Sequence, residues 1–115
     1  MTVTVVTLLK RRAGMSKADF IAYYEANHRV IGEKVLRGYA TRYVRRFLFP
    51  TDGIETEHDP DVVMEIDFPD AATRDACFAA MADPSIMAMI AADEELLFDR
   101  SRIKTFEVEE RDSAM

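Results

Sequence analysis

Tryptophan is missing from this chain, cysteine occurs once, and glycine and proline occur four times each. The lone thiol, Cys77, cannot form an internal disulfide, so the chain is not a cystine-stapled domain. With so little glycine and proline it is neither collagen-like nor a low-complexity linker. No apolar run approaches the roughly 18 to 20 residues that a membrane span needs. A glycine-rich phosphate loop is absent, so nucleotide binding is not indicated. The two histidines, His28 and His58, and the scattered carboxylates show no compact ligand spacing, so no metal is expected. Thr2 to Leu9 carry no basic leader and no small-residue cleavage site, and a cytoplasmic setting is the expectation.

Basic residues are scarce beyond residue 50. Residues 1–50 hold 10 Lys/Arg against 3 Asp/Glu, and residues 51–115 hold 5 against 18. A formal net charge of −6 argues against a nucleic-acid partner. What remains is an ordinary globular balance, with 49% hydrophobic and 31% charged residues in a chain of 115. That length suits one domain, expected over residues 1–110, with a frayed tail over 111–115.

Thr2 to Leu9 is short, β-branched and apolar on both parities, which predicts a strand buried on both faces. Lys10 to Met15 reads as a turn with Gly14 as its flexible point. Ser16 opens a helix, with Asp19 completing a variant of the capping box. Phe20, Tyr23, Tyr24, Asn27, His28 and Ile31 then recur at helical spacing and gather on one face. Tyr39 to Phe49 reads as a long second strand, Pro50 to Pro60 as an acidic loop, and Asp61 to Phe68 as a third strand. Pro69-Asp70 opens a second helix through Cys77 and Met81, and Asp83-Pro84 interrupts it. Helix resumes from Ser85 to about Ala92, Asp93 to Asp99 lead out of it, and Ser101 to Glu109 form a last strand. The order is βαββαβ, a ferredoxin-like α+β fold.

Two helices cover only one face of a four-stranded sheet. Neither parity of the second strand is polar: Val44 and Leu48 lie on one, and Tyr43, Phe47 and Phe49 on the other. An exposed apolar sheet face marks an interface, and a two-fold homodimer is the economical solution.

Lys10-Arg11-Arg12-Ala13-Gly14-Met15-Ser16 followed by Phe20-Ile21-Ala22-Tyr23-Tyr24-Glu25-Ala26-Asn27-His28 resembles the EthD-domain family of the dimeric α+β barrel superfamily. The shared pattern is a basic turn with a glycine, a helix cap, and Phe-x-x-Tyr-aromatic-x-x-x-His. Arg42 to Phe47 and Leu97-Phe98-Asp99 are similar too, and the likeness fades in the 50–60 loop and the tail. The resemblance implies a subunit whose sheet pairs with its copy, and a small cavity between sheet and helices. The family takes its name from an accessory protein of ether degradation. Its wider superfamily holds lactone isomerases, polyketide cyclases, dehydratases, decarboxylases, cofactor-free monooxygenases and haem-using enzymes, so fold is implied more firmly than function.

His28 is the first candidate for chemistry. It follows Tyr24 by four positions, so both leave one helix face a turn apart. Imidazole takes or gives a proton near neutral pH, and a neighbouring phenol can orient it or donate to a substrate oxygen. The alternative is a core-edge histidine bonded to the backbone. Phe20, Tyr23, Asn27, Ile31, Tyr43 and Met64 are the candidate ligand-binding residues, with plain core packing or local backbone bonding as the other reading. Arg45 and Arg46 are expected to pair with Glu65 or Asp67 across the sheet. Cys77 reads as an inert buried thiol. His28 is the one plausible axial ligand for haem and nothing else supports haem, so no cofactor is expected.

The chain thus reads as a small dimer that binds a hydrophobic or aromatic metabolite. As an enzyme it would be a cofactor-free isomerase, cyclase, dehydratase, decarboxylase or monooxygenase with His28 as acid/base. Otherwise it is a non-catalytic binding or accessory dimer.

Overall fold

The computed structural model describes residues 2–115. Strand β1 (Val3–Leu9) leads to helix α1 (Lys17–Tyr23), a π-helical turn (Tyr24–His28) and α2 (Arg29–Leu36), which follow one another without a break. Then come β2 (Arg42–Phe47), β3 (Val62–Phe68), α3 (Ala71–Met81), α4 (Pro84–Leu97), a 3-10 turn (Arg100–Arg102) and β4 (Lys104–Glu107). The strands form one antiparallel sheet in the order β2-β3-β1-β4. This is the ferredoxin-like βαββαβ fold.

Local chemistry sets the helix starts. The Ser16 side chain accepts from Asp19 N at 3.1 Å, Asp70 caps α3 by accepting from Thr73 N at 2.7 Å, and Asp83 caps α4 ahead of Pro84. All helices lie on one sheet face. The side chains buried beneath them are Val5, Thr7 and Leu9 of β1, and Val62, Ile66 and Phe68 of β3. The alternate residues of both strands are half-buried on the other face, so β1 is one-sided rather than fully enclosed.

Three expected boundaries shift. Strand β2 is shorter, because Tyr39 N and Ala40 N both bond to Leu36 O and keep that segment on the end of α2. Strand β4 likewise covers only Lys104–Glu107. The largest difference is in α4, which runs on through Asp93 and Glu94 to Leu97. Leu97 and Phe98 are buried in the core and Asp93 is buried beside the first helix, so packing carries the helix past its acidic stretch. The arginine pairs also differ in part. Arg46 meets Glu65 at 2.9 Å as expected, whereas Arg45 forks onto Glu25 of the π-helical turn at 2.8 and 3.1 Å.

Candidate functional site

Apolar side chains of the sheet face and of α2, α3 and α4 enclose a cavity of about 200 Å³. Its polar lining is sparse: His28, Tyr43 and Glu94, with Thr7 and Thr105 on adjacent strands, their hydroxyls 2.9 Å apart. Among the described residues no lysine or arginine lines it.

His28 reaches this cavity from the end of the π-helical turn. There the backbone N–H of Arg29 bonds back to Tyr24 O, one residue further than in an α-helix. Side chains take up carbonyls of the widened turn: Asn27 Nδ2 donates to Tyr23 O at 3.3 Å and Arg29 Nε to Glu25 O at 2.8 Å. Beyond the turn the inward stripe is His28, Ile31, Gly32 and Val35, all lining the cavity. Phe20 and Tyr24 belong to an adjoining aromatic cluster in the core with partly buried Phe47 and with Phe98, which also lines the cavity.

The imidazole is held on three sides. Its Nδ1 lies 2.8 Å from Asp93 Oδ2, and its ring meets Tyr24 and Phe98 edge-on, each at 5.1 Å between centroids. The other Asp93 oxygen, Oδ1, accepts from the Tyr23 hydroxyl at 2.6 Å. A carboxylate at Nδ1 places the neutral imidazole's proton there and leaves Nε2 as the free acceptor. The hydrogen bond that Tyr23 donates to Asp93, with burial and the carboxylate's charge behind it, pushes the Tyr23 phenol up to about 12.

Glu94, next in sequence, faces the cavity instead. Its carboxyl is loosely paired, with Arg100 Nε 3.7 Å from Oε1. Burial pushes it above the ordinary carboxylate range, while Arg100 and His28 pull the other way and Asp93 adds to the rise. Tyr24 and Tyr43 are also pushed up, in both cases chiefly by burial. Among the described residues the buried Tyr24 hydroxyl has no hydrogen-bond partner, and the neighbouring Tyr43 phenol adds to the rise.

Gly32 shapes one wall. A Cβ there would stand 2.6 Å from the Tyr43 hydroxyl and 2.8 Å from Cζ, so only glycine admits that ring.

Of the residues singled out from sequence, His28, Ile31, Tyr43 and Met64 meet at the cavity. Tyr23 stands behind it on Asp93, and Phe20 and Tyr24 lie in the core. Asn27 is exposed, its amide on the backbone. The phenol expected to orient His28 touches it only by its ring edge; the hydrogen-bonding partner is Asp93, which the sequence reading missed along with Glu94. Cys77 is buried, and burial pushes its thiol up.

An EthD family protein from Bacillus halodurans superposes with a TM-score of 0.68 at 15% identity, covering 96% of this chain and 100% of its own. A dimeric protein of ferredoxin-like fold from Bacteroides fragilis gives 0.60 at 8% identity, with 94% and 95% covered. SnoaB, a cofactor-independent oxygenase from Streptomyces nogalater, gives 0.57 at 15% identity, with 97% and 95% covered. These likenesses show the ferredoxin-like α+β fold. No curated protein matches the chain in sequence. The EthD domain model matches residues 12–101, most of the chain, and the protein belongs to the EthD-domain family.

Proposed function

We propose that the protein binds a small, largely apolar ring compound in the cavity beneath α2 and transfers protons on it through His28, without a cofactor. The observation that carries this reading is the imidazole itself: Nδ1 is fixed by buried Asp93, and the ring lines a largely apolar cavity. An apolar cavity of ~150 Å³ already holds benzene, so about 200 Å³ suits a substituted single ring or a small bicycle. Asp93 supports the imidazolium that forms when Nε2 takes a proton, as a carboxylate behind a catalytic histidine does. Tyr24 and Phe98 hold the ring in position. That SnoaB works without a cofactor is consistent with this chemistry in the same fold.

The test is binding followed by turnover. Neutral phenols, lactones and cyclic ketones are expected to raise the melting temperature saturably. His28→Ala is expected to keep binding and lose product formation by mass spectrometry. Binding without any product in the wild type would instead make the chain a carrier of the same ligand class.

The protein is further proposed to act as a homodimer through the sheet face away from the helices. That face carries half-buried Val6, Leu8, Val44 and Val63 with exposed Phe106, and the Bacteroides fragilis neighbour is dimeric. Light scattering is expected to give twice the chain mass at micromolar concentration, and Val63→Lys to give a monomer.

A further inference from the structure

We propose that Glu94 is the second acid–base group of this cavity, and that it and His28 together enolise a ring ketone. This rests on the ligand-site reading above and goes beyond it in naming the second group and the reacting function.

The placement follows from α4. Asp93 and Glu94 are consecutive, so their side chains leave the helix about 100° apart. Asp93 turns toward Tyr23 and His28, and Glu94 lines the cavity that His28 also lines. Two consecutive residues of α4 thus hold the imidazole at Nδ1 and place a carboxyl in the cavity that the imidazole lines. The charged groups facing Glu94 are His28, Asp93 and Arg100. Arg100 lies at 3.7 Å, beyond hydrogen-bond length, and its guanidinium also serves Glu95 at 3.4 Å. Glu94 is therefore not locked into a short ion pair, and burial favours its acid form. A seated apolar ligand removes further water and strengthens that preference.

With an imidazole held at Nδ1 by Asp93 on one side and a carboxyl whose acid form burial favours on the other, the pair is complementary to a carbonyl with an acidic C–H beside it. Nε2 of His28 takes the α-proton. The C–H electron pair becomes a C=C bond, the carbonyl π pair moves onto oxygen, and that oxygen takes the Glu94 proton. Enol, imidazolium and carboxylate result. The imidazolium then returns its proton to carbon, at the same atom or at the far end of a conjugated system, and the enol O–H returns its proton to Glu94. No electrons are gained or lost and no co-reactant is consumed. The absence of lysine and arginine from the lining fits an uncharged ligand better than a carboxylate or phosphate.

The probe is 2-indanone, a bicyclic ketone with exchangeable α-protons, incubated with the protein in D₂O and followed by proton NMR. Wild type is expected to bind it and to accelerate loss of the α-proton signal over a protein-free control. Glu94→Gln is expected to bind within a few-fold of wild type but to exchange about 100-fold more slowly, the scale of general acid catalysis. Glu94→Asp, which keeps the acid, recovers part of the rate. Binding with equal exchange in all three forms overturns the role of Glu94 and leaves the binding site standing. Failure of the wild type to bind the ketone overturns the site itself.

Discussion

Asp93 Oδ2 and His28 Nδ1 stand 2.8 Å apart, joining the last turns of α4 to the π-helical turn of the first helical segment. One buried carboxylate thereby fixes a tautomer, a ring orientation and the docking of two elements. Asp93→Asn keeps the shape and removes the charge. It is expected to lower ketone exchange by tenfold or more and to weaken folding by about 1–3 kcal/mol in urea titrations, the usual cost of a disrupted buried charge-assisted bond. Unchanged exchange and stability would mean that the pair is incidental.

The Tyr23 phenol bonded to the same carboxylate gives a pH prediction. Its pKa is raised on folding, so the stability it contributes is fully present below the ordinary tyrosine value of about 10. That contribution is lost as pH rises toward the folded value of about 12. Wild type should therefore lose stability more steeply than Tyr23→Phe between these values; the buried phenols Tyr24 and Tyr43 are common to both proteins. Parallel denaturation curves would show that the Tyr23–Asp93 bond contributes nothing.

Tyr24→Phe removes a hydroxyl that is buried without a hydrogen-bond partner. An unsatisfied buried polar group costs about 1–3 kcal/mol, so this variant should melt at or above the wild-type temperature and keep its ketone exchange. A large loss of exchange at unchanged stability would give the phenol a chemical role.

Gly32→Ala puts a methyl 2.6 Å from the Tyr43 hydroxyl. The alanine gains about 1 kcal/mol of helix propensity, against about 1–3 kcal/mol for overpacking. The expected result is a net loss of stability and at least tenfold weaker ketone binding by titration calorimetry. Wild-type affinity would mean that Tyr43 moves aside freely.

Much of the fold was legible because it is written in local signals. Ser16, Asp70 and Asp83 are caps, Pro84 starts a helix, and β3 alternates cleanly. His28 was legible as a titratable group on an aromatic helix face. Its partner was not, because Asp93-Glu94-Glu95 looks like a solvated exit from a helix. A faint signal was there: Ile86, Ile90, Asp93 and Leu97 share one helical stripe, so Asp93 occupies a core-facing position. The π-helical turn left no such mark. It widens the helix by a residue and turns Asn27 out to the backbone, which regular 3.6-residue periodicity does not anticipate.

The chain has only two histidines, and His58 lies in the exposed loop, so nitrogen-15 NMR of histidine-labelled protein reads His28 against an internal control. Free protein is predicted to show a protonated Nδ1 and an unprotonated Nε2 at His28. Saturating 2-indanone is predicted to shift the Nε2 resonance of His28 while leaving His58 unmoved. A His28 spectrum with the proton on Nε2, or one that the ketone does not change, would contradict the account.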